Sequence, residues 1–174
     1  MTFRRQNIRL SPQIYRGPRL YFVTLCCEGR GCFFAKHNTA SWLITCLRRD
    51  ADATGFAVHA YCVMPNHLHL LVEGKGAKSS LLTFIKQLKQ KTAFEYQQRF
   101  GERLWQTKFY DHILRSGDSP DRVAWYIWTN PVRKGISSQP HEYPFSGSFT
   151  LEWRTAPQPP EPWIPAWKKK AVPA

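Results

Sequence analysis

Two histidines separated by one apolar residue are the most suggestive chemical feature of the sequence. His67 and His69, here called the His pair, flank Leu68, and residues 70–72 continue as an apolar run. This content predicts a buried β-strand. Because successive side chains of a strand point to opposite faces, both imidazoles are expected on the same face of a sheet. Two imidazoles held in that way can be two ligands of one divalent metal ion.

A second group of polar residues has the spacing of a helix surface. Arg122, Tyr126 and Asn130 follow one another at intervals of four residues, so in a helix they form a single stripe. A tyrosine hydroxyl can attack phosphorus, but the ordinary pKa of a phenol is about 10, so the attack needs help from a metal or a cation. Arg122 is therefore expected to contact the scissile or an adjacent phosphate, or to lower the pKa of Tyr126.

Asn130, one turn after the tyrosine, could add its amide oxygen to the two imidazoles as a third metal ligand. A site with mixed nitrogen and oxygen ligands and open positions suits Mg²⁺ or Mn²⁺, which would polarise a phosphate. A structural zinc site made of the His pair and Cys62 fits less well, because Cys62 is not at a usual ligand spacing.

Each of these features also has a purely structural interpretation. The His pair could be two polar residues on the exposed face of a half-buried strand, and Arg122 could be a solvated residue of a helix surface. Tyr126 belongs to an aromatic stripe of the kind that commonly packs in a core. Tyr110 is the rival nucleophile, although its position in a predicted strand favours a packed side chain.

The charge of the chain indicates an anionic partner. Lys and Arg number 25 against 12 Asp and Glu, which gives a formal charge of +13. Nucleic acid is the expected partner, and an anionic membrane surface is the weaker alternative. The basic residues expected to contact DNA are Arg4, Arg5, Lys86, Lys89, Lys91, Arg133 and Lys134.

The remaining composition indicates a folded protein of a reducing compartment. The chain is 43% hydrophobic and has five cysteines without a CxxC pair, as expected for reduced thiols in a cytoplasm. The N-terminus lacks the apolar core of a signal peptide, and no apolar run reaches the roughly 20 residues of a membrane span. A cytoplasmic, nucleoid-associated protein without a membrane partner is therefore predicted.

The order of predicted elements indicates the fold class. Strands are predicted at residues 21–27, 56–63, 67–73 and 109–115, and helices at residues 39–54, 79–100 and 119–130. Thr39 or Ser41 is expected to cap the first helix, and Pro131 to end the last one near Asn130. The order β-α-β-β-α-β-α predicts an α+β fold, a ferredoxin-like antiparallel sheet with its helices on one face.

Several short motifs together resemble one protein family. The segment Tyr61-Cys62-Val63-Met64-Pro65-Asn66 precedes His67-Leu68-His69, and Trp105-Gln106, Tyr110-Asp111-His112 and the segment at residues 126–135 follow in order. This succession, over residues 15–147, resembles the Y1 tyrosine transposases, the IS200/IS605-like family, and within it the REP-associated tyrosine transposases.

The resemblance implies a ferredoxin-like HUH endonuclease domain and assigns roles to its residues. His67 and His69 would be metal ligands, and Tyr126 would be the nucleophile that forms a 5′-phosphotyrosine and frees a 3′-OH. Asn130 matches the position of the third ligand, where IS200-type relatives typically carry Gln. Relatives cut and rejoin single-stranded DNA beside hairpin-forming palindromes without ATP, as dimers or as monomers.

The predicted domain boundaries combine the composition with the resemblance. Residues 1–19 are predicted to be a basic, extended arm and residues 20–147 the HUH-like nuclease domain. Residues 148–174 are predicted to be a proline-rich basic tail without a core of its own. The alternative function is a non-catalytic module that binds single-stranded nucleic acid on the same fold.

Overall fold

The computed structural model describes residues 11–165, which form one five-stranded antiparallel sheet with helices on both faces. The strands lie in the order β4-β1-β3-β2-β5, in which every neighbouring pair is antiparallel. This arrangement confirms the predicted α+β fold. The strands are β1 Leu20–Cys26, β2 Phe56–Met64, β3 His67–Gly74, β4 Tyr110–Ile113 and β5 Ser146–Gly147, and the helices are α1 His37–Thr54, α2 Leu81–Phe100, α3 Pro120–Trp128 and α4 Asn130–Arg133.

The two faces of the sheet are covered by different helices. Alternate strand residues such as Val23 and Leu70 pack with α1 and α2, whereas Phe22 and Leu71 pack with Val123 and other residues of α3. The prediction that all helices share one face is therefore wrong for α3. The reason is that neighbouring strand residues point to opposite faces of the sheet and are both apolar. Each face of the sheet must therefore be buried under other elements.

The helix ends differ in how well local sequence predicts them. Ser80 and Ser119 cap α2 and α3 as their positions suggest, each accepting a hydrogen bond from a backbone N–H of the first turn. Thr39 does not cap α1, because α1 begins at His37 and the Thr39 hydroxyl donates to the carbonyl groups of Phe33 and Lys36 instead. Ser41 also lies inside α1 and is not its cap.

The helix that carries Tyr126 ends slightly before the predicted position. α3 ends at Trp128, and α4 begins at Asn130 with Pro131 in its first turn. A proline is tolerated there because the first turn of a helix does not need its N–H. Asn130 therefore lies at the junction of two helices.

Parts of both predicted terminal segments pack on the domain. In the first segment, Tyr15 is 2% exposed and stacks on Tyr21. In the last segment, Trp153 and Trp163 are buried against the α3 face of the sheet. Arg4 and Arg5 lie outside the described residues. No helix within residues 11–165 combines the length and apolar content needed to cross a membrane.

Candidate active site

The two imidazoles of the His pair face each other at the start of β3. Nε2 of His67 lies 3.0 Å from Nε2 of His69, on the face of the sheet that α3 covers. The other ring nitrogens are held by neighbouring side chains. Nδ1 of His67 lies 2.6 Å from Oδ1 of Asn66, and Nδ1 of His69 lies 2.8 Å from the hydroxyl of Thr24. These contacts orient both rings so that their Nε2 atoms converge on one region.

Two basic residues lie near His67 and affect its protonation. Burial, together with the charges of Arg30 and Lys134, lowers the pKa of His67 to about 4. Arg30 adopts a left-handed backbone conformation with φ of 59°, in a turn that is held against the β2–β3 hairpin by a hydrogen bond from the Cys27 N–H to the Asn66 carbonyl. His67 is therefore neutral near pH 7, as a metal ligand must be.

The strand register aligns a row of side chains across the α3 face. Tyr110 pairs with Thr24, Thr24 with His69, His69 with Cys62, and Cys62 with Ser146. Paired residues of an antiparallel sheet point to the same side. The rival nucleophile Tyr110 thus lies on the same face as the His pair.

The phenol of Tyr126 reaches the same face from α3. Phe22 contacts both groups, since its ring centroid is 6.0 Å from that of Tyr126 and 5.5 Å from that of His69. Partial burial, followed by the neighbouring Asp111 and Tyr126, raises the pKa of Tyr110 to about 12. Tyr110 is nevertheless 40% exposed, so the packed side chain that its strand position favours is not found.

Arg133 and Lys134 both lie close to the reactive groups. The guanidinium carbon of Arg133 lies 4.0 Å from the centroid of the Tyr126 ring. Its two terminal nitrogens donate hydrogen bonds to the Tyr126 carbonyl, at 2.8 Å, and to the Thr129 hydroxyl, at 2.5 Å. Arg133 is the last residue of α4 and Lys134 follows it, so the short helix that begins at Asn130 brings them to the site.

Asn130 is buried, with 4% of its surface exposed. Within residues 11–165, its Nδ2 is a buried donor that has no hydrogen-bond partner. A buried amide of this kind is costly unless a ligand or partner satisfies it, so the side chain fits a role in binding.

Arg122 contacts the C-terminal segment. Its Nη2 donates to the Pro162 carbonyl at 2.8 Å and lies 3.2 Å from a carboxylate oxygen of Glu161. Next in the chain, Trp163 places its ring centroid 5.1 Å from that of Tyr126 in an edge-on arrangement. This segment therefore borders the nucleophile.

Three lysines expected to contact DNA lie on α2, which packs on the opposite face of the sheet. Lys86 is exposed to solvent there. Lys89 donates to the carbonyl groups of Gln106 and Thr107, and Lys91 lies 3.1 Å from the buried carboxylate of Asp50. The structure does not bring these lysines to the His pair.

The converging Nε2 atoms of the His pair are two nitrogen ligands that fit a divalent metal ion. Among the residues that the structure describes, no group of three or more His, Cys, Asp and Glu side chains could hold a metal, so Cys62 does not complete a zinc site with the His pair. Burial raises the pKa of Cys62 to about 12, which also makes its thiol a poor ligand. A third protein ligand would have to be of another type, such as an amide.

The family comparison identifies the chain. A family model described as "Transposase IS200 like" matches residues 19–129, which are more than half of the 174 residues. The chain belongs to the IS200-like transposase family. This result confirms the family that the sequence motifs resemble and with it the prediction that the chain is an enzyme, a tyrosine transposase.

Individual proteins similar to this IS200-like transposase were also found. A REP-associated tyrosine transposase of Escherichia coli K12 is 28% identical over 110 residues, which cover 56% of this chain and 62% of the relative. An uncharacterised Haemophilus influenzae protein is 23% identical over 159 residues, which cover 74% of this chain and 88% of that protein. A solved REP-associated tyrosine transposase bound to a REP hairpin shares the fold, with a TM-score of 0.66, 20% identity and 81% of each chain covered.

Sequence patterns alone missed three residues that surround the reactive groups. Thr24 and Phe22 lie beside the His pair only because of the strand register, which the sequence does not specify. Trp163 lies far from Tyr126 in the chain, within the predicted proline-rich tail. The sequence indicates this contact only by placing a large aromatic residue in a proline-rich segment, since such side chains are usually buried against other residues.

Proposed function

We propose that this IS200-like transposase cuts and rejoins single-stranded DNA at hairpin-forming repeats, with Tyr126 as the covalent nucleophile. The observation that carries the proposal is the arrangement on one face of the sheet. The two Nε2 atoms of the His pair are 3.0 Å apart, and the ring of Phe22 contacts both His69 and Tyr126. A phosphate could therefore meet both the metal ligands and the phenol.

The proposed reaction is a transesterification. The phenol oxygen of Tyr126 attacks phosphorus and loses its proton, while the bond from phosphorus to the 3′ oxygen breaks and that oxygen takes up a proton. The products are a 5′-phosphotyrosine and a free 3′-OH. The reverse reaction with a different 3′-OH rejoins DNA without ATP, because the phosphotyrosine keeps the energy of the phosphodiester.

His67, His69 and Asn130 would hold Mg²⁺ or Mn²⁺. When bound, the ion would polarise the scissile phosphate and help to neutralise its charge. The protein residues supply the rest. Asn66 and Thr24 keep the imidazoles oriented, and the flanking cations Arg30 and Lys134 favour an anionic substrate at this place.

Arg122 keeps its proposed role as a phosphate contact, which has a structural consequence. Because Arg122 is bonded to Pro162 and Glu161, it must exchange these partners for a phosphate when DNA binds. The expectation that the DNA is a hairpin is supported by the relative whose structure was solved with a REP hairpin.

The test uses a hairpin oligonucleotide with a single-stranded flank and a label at its 3′ end. The protein is incubated with it and Mn²⁺ or Mg²⁺, and the products are separated under denaturing conditions. We expect a labelled covalent adduct that EDTA and Tyr126→Phe each abolish and that Tyr110→Phe retains. Binding without any adduct would instead support the non-catalytic module, and an adduct in Tyr126→Phe would move the nucleophile to Tyr110.

A further inference from the structure

The contact between Arg133 and Tyr126 suggests a second function for an arginine first expected to contact DNA. We propose, on the basis of the proposed function, that Arg133 is a positioning residue that fixes the ring of the nucleophile Tyr126. In this role the guanidinium acts on the protein, and its effect on DNA cleavage is indirect.

The geometry ties Arg133 to Tyr126 at two places. The guanidinium lies over the face of the phenol ring, with its carbon 4.0 Å from the centroid. One terminal nitrogen also donates to the Tyr126 backbone carbonyl at 2.8 Å. The same side chain therefore holds both the ring and the backbone of the nucleophile.

A third contact of Arg133 bridges the junction between α3 and α4. The other terminal nitrogen of Arg133 donates to the hydroxyl of Thr129, which lies between α3 and α4. The Thr129 hydroxyl in turn donates to the carbonyl of Trp125 at 2.7 Å. The last turn of α3, which carries Tyr126, is thus bonded to α4 through one guanidinium.

The surroundings of the ring explain why such a contact is needed. Tyr126 is only partly buried, and Phe22 and Trp163 contact its ring edge-on, at 6.0 Å and 5.1 Å between centroids. The guanidinium of Arg133 adds a contact of a different kind, because it lies over a face of the ring. A planar group can stack on the ring and donate two hydrogen bonds in its own plane, which a lysine cannot do.

The first test separates positioning from DNA contact. Hairpin affinity and the single-turnover rate of adduct formation are measured for wild type, Arg133→Ala, Arg133→Lys and Thr129→Val. Arg48→Ala is the matched control, since Arg48 lies 3.9 Å over the Phe149 ring but packs with the α1 side of the sheet. Melting temperatures of all variants confirm that each is folded.

If Arg133 positions Tyr126, the variants should show a specific pattern of reaction rates and hairpin affinities. Arg133→Ala should lower the rate at saturating DNA by about tenfold or more, because a small misplacement of a reacting group is costly. Its hairpin affinity should stay within about twofold of wild type, since a single phosphate contact would show up in affinity and in its salt dependence. Arg133→Lys should not restore the rate, Thr129→Val should lower it by less than Arg133→Ala, and Arg48→Ala should leave it unchanged.

Two outcomes would overturn the inference. A wild-type rate at saturating DNA with weakened hairpin affinity would make Arg133 a DNA contact. A full rescue by Arg133→Lys would show that only the charge matters.

The second test needs neither DNA nor metal, so it separates failure of this inference from failure of the proposed function. Protein with ¹³C-labelled tyrosine rings is studied by NMR, and the Tyr126 resonance is identified by its loss in Tyr126→Phe. We expect this resonance to shift in Arg133→Ala and not in Arg48→Ala. An unchanged Tyr126 resonance in Arg133→Ala would refute the contact even if the wild-type protein cleaves DNA.

Discussion

The hydroxyl oxygen of Thr24 lies 2.8 Å from Nδ1 of His69, directly across the pairing of β1 with β3. When Nδ1 carries the proton and donates it to this hydroxyl, the lone pair of Nε2 is left facing His67. The contact therefore connects the strand register to the chemistry of the His pair.

Replacing Thr24 by valine should weaken metal binding without unfolding the protein. Valine keeps the shape but removes the oxygen that orients His69, and loss of such a partner typically costs about 10- to 100-fold in metal affinity. Mn²⁺ binding followed by calorimetry or by electron paramagnetic resonance measures the change. Thr24→Ser should retain most of the affinity, whereas equal affinities of Thr24→Val and wild type would exclude the orienting role.

The His67 imidazole should make the metal-free protein less stable in mild acid. Its pKa in the folded state is lowered to about 4, mainly by burial, so between this pH and the ordinary pKa of about 6.5 the unfolded chain binds more protons. Stability is therefore lost as the pH falls through this window, by up to about 2 kcal/mol at pH 5. Urea unfolding with EDTA at pH 7 and pH 5 should show a smaller loss for His67→Gln.

On the other face of the sheet, Asp50 is fully buried and held by basic neighbours. Burial alone would raise its pKa, but hydrogen bonds from Arg49, Lys91 and Gln87 outweigh burial and keep the pKa below its usual range. Asp50→Ala should therefore lower the free energy of unfolding at pH 7 by about 2–3 kcal/mol.

The stabilisation by Asp50 should depend on pH in a defined direction. The stabilisation by Asp50 is present above the unfolded pKa of about 4 and is lost as the pH falls through the lower folded pKa. Denaturant unfolding should thus show the difference between Asp50→Ala and wild type shrinking towards pH 3. Mn²⁺ affinity should not change, because the His pair lies on the other side of the sheet. A difference that is constant with pH would contradict the ionic explanation.

The elements that could be predicted are those whose signals are local. The end of α2 at Phe100 and the caps Ser80 and Ser119 follow from apolar periodicity and from short-range hydrogen bonds. β5 was not predicted, since a strand of two residues is too short to show alternation and exists only because β2 pairs with it. The face that α3 covers also could not be predicted, because both faces of β1 are apolar.

The features of the candidate site also divide into those that the sequence predicts and those that depend on tertiary structure. The common face of His67 and His69 follows from the alternation of a strand, and the sequence motifs were enough to predict the family. The partners of these residues depend on tertiary structure. Thr24 meets His69 through the register, and Trp163 meets Tyr126 through a chain path that no periodicity encodes.

Asn130 offers the sharpest test of the proposed ligand set. Its amide is buried, and among the described residues its Nδ2 donor lacks a hydrogen-bond partner. A metal ion would bind the amide oxygen, and Nδ2 would then need an acceptor such as a phosphate oxygen. Asn130→Asp should bind Mn²⁺ more tightly, because a carboxylate is the stronger ligand for this hard ion. Without metal, the same variant should melt at a lower temperature than wild type, because its buried charge is then uncompensated.

The alanine variant should give the opposite result for the metal. Asn130→Ala loses the ligand oxygen, so its Mn²⁺ affinity should fall below that of wild type, and the order of affinities should be Asp, Asn, Ala. This order, together with the metal-free melting temperatures, distinguishes a ligand from a residue that only packs, since packing alone would not make the aspartate variant bind more tightly. If all three proteins bound Mn²⁺ equally, the third ligand would have to come from elsewhere, such as the DNA itself.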